Sequence, residues 1–178
     1  RAGIAGAMNA EDRSHIMSHL LIGASLAGVA LLGTWGAAQQ APKWGIDLNN
    51  ATGKLSAHPK EYVQMATSIG AILFTLITPI IGDILGRRLT YTICCVLAGA
   101  SAVVFYQFCH TIDATFYTAA FFMGGLTATF YGFFPLYLPE LFPTSVRATG
   151  QGFCFNVGRI IAAVGGLQIA NLVGLFGT

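Results

Sequence analysis

Charged side chains are scarce in this chain of 178 residues. Only 9% of its residues are Asp, Glu, Lys or Arg, against about 25% in an ordinary soluble domain. A membrane-spanning helix needs about 20 mainly apolar residues to cross a hydrocarbon core of about 30 Å. Five stretches of that length carry no charge or, in the last, only Arg159: 20–42, 62–82, 89–109, 114–139 and 148–178. A large soluble core could hide one such helix, but not five in succession. The sequence therefore predicts an all-α, polytopic membrane helix bundle.

Other scarcities exclude further classes of protein. The sequence has no basic run of the kind that binds nucleic acid, and no cluster of His, Asp and Glu or nucleophile elbow that would indicate an enzyme or a cofactor. His15 and His19 share one side of a segment without another ligand nearby, so no metal site is expected. The cysteines lie within or beside apolar stretches and are expected to be small packing residues; they are Cys94, Cys95, Cys109 and Cys154.

The order of apolar stretches and connectors predicts one domain over residues 1–178. Its helices are expected at about 18–40, 62–82, 89–109, 114–138 and 149–173. The longest connector, 41–61, contains prolines, glycines and a polar run, so we expect an irregular, solvent-facing loop. Arg87, Arg88 and Arg147 lie in short loops and predict that this side faces the cytoplasm, with 41–61 outside. Because the chain begins with Arg1 and stops just after a helix, we expect it to be a fragment.

The connector between the second and third helices reads Asp-Ile-Leu-Gly-Arg-Arg over residues 83–88. An Asp near a helix C-terminus opposes the local dipole and needs a positive partner. Gly86 permits a sharp turn, and Arg87 and Arg88 can extend to the lipid headgroups. For the two arginines, an ordinary positively flanked loop is an equally good interpretation.

The connector between the fourth and fifth helices carries the most specific pattern. Residues 139–152 read Pro-Glu-Leu-Phe-Pro-Thr-Ser-Val-Arg-Ala-Thr-Gly-Gln-Gly. Pro139 and Pro143 prevent one continuous helix, because each lacks an N–H group. Glu140 and Arg147 stand at the two ends of the connector, where an ion pair could lock two membrane helices together.

These two connectors resemble motifs of the major facilitator superfamily. Asp83, Gly86, Arg87 and Arg88 are similar to the loop motif found after the second and eighth helices of that family. The second segment is similar to the connector between the tenth and eleventh helices in its sugar porter, organic ion and synaptic-vesicle-type branches. The resemblance places the five helices as the seventh to eleventh of a twelve-helix transporter.

One further residue agrees with this placement, and two depart from the usual motif. Asn156 matches an Asn common in the eleventh helix of sugar porters. Pro79 stands where the loop motif usually begins with Gly, and Ile84 stands where a basic residue usually follows the Asp. Degenerate versions are usual in the second half of these proteins.

The resemblance implies a secondary active or facilitative transporter in the cell membrane that works by alternating access. Its substrate is expected to be a small polar metabolite, namely a sugar, a sugar acid or another organic anion. Proton symport is left open, because no carboxylate lies inside the five helices. The expected partners are the lipid bilayer, the absent amino-terminal six-helix half and the twelfth helix. The alternative is a non-transporting membrane sensor or assembly subunit that keeps the fold.

The resemblance also assigns gating roles to the charged connectors. Glu140 and Arg147 resemble the cytoplasmic pair that stabilises the outward-open state of sugar porters, although a static loop pair is the alternative. Asp83 is expected to approach a helix end in the other half, and so to lack its partner in the fragment.

Six residues are candidates for the substrate cavity. Arg159 lies about ten residues into its helix, near the membrane midplane, where a charge should face the interior or a water-filled cavity. It is expected either to reach that cavity or to form a buried pair with an acid in the absent half. Asn156 lies on the same helix face as Arg159. The other four candidates form two pairs, each on one face of its helix: Thr127 with Tyr131, and Trp35 with Gln39.

A ridge of small residues runs along the last helix. Gly150, Cys154, Gly158, Ala162 and Gly166 recur at every fourth position. Small residues at this spacing let two membrane helices approach closely. The ridge therefore predicts a close helix–helix contact rather than a ligand site.

Overall fold

A computed structural model describes residues 10–53 and 58–176, and the side chains of 14–53 and 58–168. In that part of the chain the helices are α1 (Ala10–Gly36), α2 (Ala41–Thr52), α3 (Pro59–Leu85), α4 (Arg87–Phe108), α5 (Ala114–Glu140) and α6 (Arg147–Phe176), with a short 3₁₀ turn over Ala38–Gln40. Four stretches of the described residues are long and apolar enough to cross a membrane: Ser14–Thr52, Pro59–Leu85, Arg87–Phe108 and Ala114–Glu140. The predicted all-α membrane bundle is confirmed.

The prediction of an irregular loop over residues 41–61 is wrong for the first half of that segment, which is helical. Helix α2 follows α1 through the 3₁₀ turn, and Pro42 lies in its first turn, where the missing N–H costs nothing. Gly53 ends it with a left-handed φ of 64°, the usual conformation after a helix C-terminus. Gly45 and Leu48 are buried, and Val63 at the start of α3 fills the space beside Gly45. The turn residues that suggested a loop are thus the start and stop signals of a short helix.

Helix α5 forms the centre of the bundle. It packs on α3 and α4 over long interfaces and on α1 and α6 over shorter ones. Phe116, Phe130, Phe133 and Phe134 of α5 are fully or almost fully buried. Lipid tails are as apolar as these rings, so inside a membrane the rings stabilise the bundle by close van der Waals packing and not by removal from water. The aromatic residues of this helix therefore hold the bundle together.

The contact between α3 and α5 depends on glycine. The two helices run parallel. A Cβ on Gly132 of α5 would overlap the carbonyl oxygen of Thr75 in α3. Pro79 cannot donate an N–H to that carbonyl, so Gly132 packs against a carbonyl that has lost its helical donor. The same close packing continues towards the start of both helices. A Cβ on Gly124 of α5 would lie 2.5 Å from the Cα of Thr67 in α3, and a Cβ on Gly70 of α3 would meet the backbone of Phe121 in α5.

The small-residue ridge of α6 makes the predicted close helix–helix contact over its central part, and its partner is α1. Cys154, Gly158 and Ala162 are buried. A Cβ on Gly158 would lie 2.8 Å from the Cβ of Ala27 in α1. The two ends of the ridge differ from the prediction, because Gly150 faces the ring of Phe142 and Gly166 faces open space.

Candidate functional site

A cavity of about 550 Å³ opens between α1, α3 and α5. The described residues that line it are mainly small or polar, and none of them is charged: Thr34, Ala38, Gln39, Gln64, Thr67, Ser68, Ala71, Ile72, Thr75, Leu76, Gly124, Ala128 and Tyr131. Cavities of about 300–1,000 Å³ with a few placed polar groups are typical small-molecule sites. The cavity therefore has the size and the chemistry to hold a small polar molecule.

Three threonines at the cavity donate their hydroxyl protons to helix carbonyls. Thr34 of α1 donates to the carbonyl of Thr127 at 2.7 Å, and Thr75 of α3 donates to the carbonyl of Ala128 at 3.1 Å. Thr67 donates within its own helix, with the Val63 and Gln64 carbonyls both at 3.0 Å. Two of these bonds connect α1 and α3 to adjacent carbonyls of α5. The cavity wall is thus held in place by its own polar groups.

Two other hydroxyl groups of the cavity accept hydrogen bonds. The indole N–H of Trp35 donates to the Tyr131 hydroxyl at 3.3 Å, and the Gln64 amide donates to the Ser68 hydroxyl at 3.2 Å. The Tyr131 ring also makes an edge-on contact with Phe155 of α6, with ring centroids 6.3 Å apart. Tyr131 is therefore held from α1 and from α6.

The structure places three of the six predicted cavity residues at the cavity. Gln39 and Tyr131 line the cavity, and Trp35 contacts Tyr131. Thr127 is buried and donates its hydroxyl proton to the Met123 carbonyl at 2.8 Å. It lines a second cavity of about 170 Å³ between α1, α4 and α5.

Asn156 and Arg159 lie elsewhere. Neither is among the residues that line the cavity, and both are exposed on α6. The Asn156 amide donates to the Gly152 carbonyl of its own helix at 2.8 Å. Because α6 turns its small-residue ridge towards α1, these two side chains point to a different side of the helix. Their predicted role in substrate binding stays a prediction, and so does the alternative, a buried pair between Arg159 and an acid in the absent half.

A bridge of three charges ties three helices together at one end of the bundle. Arg87, the first residue of α4, places its Nη1 2.7 Å from Oδ1 of Asp83 near the end of α3. Its Nη2 lies 2.9 Å from Oε1 of Glu140, the last residue of α5. Its Nε lies 3.1 Å from both oxygens of that carboxylate. Both acids stand at helix C-termini, where the dipole disfavours negative charge and a cation stabilises them.

The turn at Gly86 positions this bridge. Gly86 has φ 83° and ψ 155°, a region that is essentially restricted to glycine. The sharp turn that the sequence predicted here is confirmed. Gly86 alone separates the end of α3 from the start of α4. The Arg87 side chain therefore lies close enough to contact both Asp83 and Glu140.

Glu140 pairs here with Arg87 and not with Arg147, so the gating pair of Glu140 and Arg147 stays a prediction. The prediction that Asp83 lacks a partner is wrong. Helix α5 continues through Pro139 to Glu140, which carries its carboxylate to Arg87. Arg147 begins α6 after the turn and is exposed. Asp83 finds its cation four residues along the chain. Arg88 is exposed beside the bridge, and its predicted role stays a prediction.

Sequence reasoning missed most of the cavity wall on α3. Gln64, Thr67, Ser68 and Thr75 recur at helical spacing along a stretch that is otherwise apolar. Residues three or four apart lie on the same face of a helix. A search for polar residues at that spacing within apolar stretches would have found this wall.

Two curated proteins are similar to part of the chain. A stretch of 111 residues, 61% of the chain, is 32% identical to the cis,cis-muconate transport protein of Acinetobacter baylyi. A stretch of 92 residues, 50% of the chain, is 33% identical to the synaptic vesicle 2-related protein of Xenopus laevis. The chain spans only 26% and 16% of the length of these relatives. No family model and no solved structure matches the chain.

The apolar helices and the two relatives both indicate a membrane protein. Four described stretches can cross a membrane, and one of the two relatives is by name a transport protein. The chain is a multi-pass, all-helical membrane protein.

Proposed function

We propose that this chain is part of a major facilitator-type transporter that moves a small polar metabolite by alternating access. The cargo is a sugar, a sugar acid or another organic anion. The observation that carries the proposal is the cavity between α1, α3 and α5, which is lined by hydroxyl and amide groups within a bundle of apolar helices. Secondary transporters of repeated helical halves bind their substrates near the midplane, between the halves.

In this proposal the chain belongs to the second half of a longer transporter. Its helices correspond to the seventh to eleventh of that protein, and the open side of the cavity faces the other half. Two observations support this arrangement. Both relatives are much longer than the matched segment, and the cavity is open to the outside of the described residues rather than enclosed by them.

The Arg87 bridge acts as a gate in this proposal. Because it joins the ends of α3, α4 and α5, these helix ends move as one unit while the bridge is intact. An interaction that forms in only one of two conformations shifts the equilibrium by its differential free energy. In the proposal this end of the bundle faces the cytoplasm, because Arg87, Arg88 and Arg147 lie there, and Arg88 and Arg147 are the residues available to contact headgroups.

Uptake into liposomes tests the proposal. The full-length protein is reconstituted, and the uptake of radiolabelled glucose, gluconate and cis,cis-muconate is followed with and without a pH gradient. We expect at least one of them to enter the liposomes, and a rate that rises when the pH gradient is imposed would indicate proton coupling. Specific binding of a probe without uptake would instead favour a membrane sensor.

A matched pair of variants connects uptake to the cavity. Ser68 lines the cavity, whereas its neighbour Ile69 is half-exposed and lies outside the lining. We expect Ser68→Trp to fill the cavity and abolish uptake, and Ile69→Trp to leave uptake within a factor of about two, since surface substitutions change stability by only about 0.5 kcal/mol. Equal uptake by both variants would contradict transport through this cavity.

A further inference from the structure

The hydroxyl groups of the cavity divide into two chemical kinds. The protons of Thr34, Thr67 and Thr75 are donated to carbonyls, so towards the cavity these hydroxyls can only accept. A hydroxyl group has one proton and two lone pairs. The protons of Ser68 and Tyr131 have no acceptor among the described residues, and their oxygens already receive a hydrogen bond. These two hydroxyls can therefore donate to a solute, as the side-chain amides of Gln39 and Gln64 also can.

We propose that this wall selects hydroxyl-bearing solutes over unsubstituted carboxylates, with Tyr131 as its fixed donor and Trp35 as the residue that positions it. This inference rests on the proposed function and names the substrate class of the same site. An alcohol group both donates and accepts, so it can satisfy a threonine oxygen and the Tyr131 proton together. A carboxylate only accepts, and it would leave the threonine oxygens without partners.

The absence of charge in the lining points the same way. None of the described residues that line the cavity is a Lys, Arg or His, so this wall distinguishes solutes by hydrogen bonding rather than by charge. Leaving a buried acceptor without a partner lowers affinity by about 5- to 150-fold. Several unmatched threonine oxygens therefore discriminate strongly against a solute without donors.

Trp35 fixes the direction in which Tyr131 donates. An indole N–H can only donate, so its bond to the Tyr131 oxygen leaves the phenol proton free to point away from Trp35. Phe155 packs edge-on against the same ring and limits its rotation. Tyr131 itself is part of the cavity lining. Its proton is thus presented to the cavity by a side chain held on two sides.

The test compares two dicarboxylates that differ only in hydroxyl groups. Adipate and glucarate have the same carbon chain length and the same charge, and only glucarate carries hydroxyl groups between its carboxylates. Their dissociation constants are measured by titration calorimetry on the purified full-length protein in nanodiscs. We expect glucarate to bind at least about tenfold more tightly than adipate, which corresponds to one net hydrogen bond of about 1.4 kcal/mol.

Three variants assign the preference to residues. Tyr131→Phe is expected to reduce the preference for glucarate about tenfold. Trp35→Phe keeps an aromatic ring but removes the indole donor, and is expected to reduce the preference less. Tyr62→Phe is the matched control, because Tyr62 lies in the same bundle but outside the lining, and it is expected to change nothing. Elution profiles and melting temperatures confirm that each variant is folded.

Three results would overturn the inference. They are equal affinity for adipate and glucarate, a preference that Tyr131→Phe leaves unchanged, and no binding of glucarate at all. Uptake of either compound into liposomes separates this inference from the proposed function. If adipate is transported as well as glucarate, transport stands and the selection of hydroxyl groups does not.

Discussion

Replacing Gly132 with alanine is expected to push helices α3 and α5 apart and to remove a large part of the stability of the bundle. The position that the new Cβ would take is occupied by the carbonyl oxygen of Thr75. A backbone carbonyl cannot rotate away as a flexible side chain can. Overpacking of a close contact costs about 3 kcal/mol at the upper end of its usual range, and stable proteins have only about 5–15 kcal/mol in total.

Gly99→Ala is the matched control for this prediction. Gly99 also lies inside a helix, α4, but nothing lies within 4 Å of the position its Cβ would take. Alanine is favoured over glycine in a helix by about 0.5–1 kcal/mol, so we expect unchanged or slightly higher stability. Melting temperature and elution profile of the purified full-length protein measure both variants. A Gly132→Ala protein that is as stable as the Gly99→Ala protein would show that α3 and α5 do not cross this closely.

Replacing Arg87 with alanine is expected to slow transport severalfold, and much more than Arg147→Ala does. Arg87 is the cation that both Asp83 and Glu140 contact, so its loss leaves two carboxylates facing each other at helix C-termini. Arg147 is exposed at the start of α6 and is not part of the bridge. Initial rates of uptake into liposomes, normalised to the amount of inserted protein, measure the difference.

Arg87→Lys shows whether the shape of the bridge matters. Lysine keeps the charge, but it cannot form the forked contact that a guanidinium makes with a carboxylate. We expect an intermediate rate, because the introduced ammonium group reaches one acid at a time. The account would be wrong about the bridge if Arg147→Ala slowed uptake more than Arg87→Ala, since that order fits a Glu140–Arg147 gate.

The sequence was sufficient to predict the fold class and the close contact of α6. Uncharged stretches of membrane length and a four-residue spacing of small residues are local patterns, and both describe the helices correctly over most of their length. The same local rules failed for residues 41–52, because Pro42 and Gly53 are also signals for the start and end of a helix. Local composition alone does not separate a loop from a short helix with caps.

The pairing of charges could not be predicted, because it depends on which helices are neighbours. Glu140 and Arg147 are close in sequence, but a turn separates them and Glu140 meets a residue 53 positions away. The cavity was only partly predicted for the same reason. Gln39 and Tyr131 were found from their helix faces, whereas the α3 wall depends on the crossing at Gly132, where one glycine sets the distance between two helices.

Labelling of one cavity residue from both sides of the membrane tests the central claim most directly. A cysteine at position 68 lies in the lining, and Ser68→Cys is compared with Ile69→Cys next to it. Native Cys94, Cys109 and Cys154 are buried, and the unsubstituted protein gives their background. A membrane-impermeant maleimide is added to either side of oriented vesicles, with and without a transported solute. Alternating access predicts that Ser68→Cys reacts from both sides, and that the solute slows both reactions. Labelling from one side alone, unaffected by any solute, would contradict transport through this cavity.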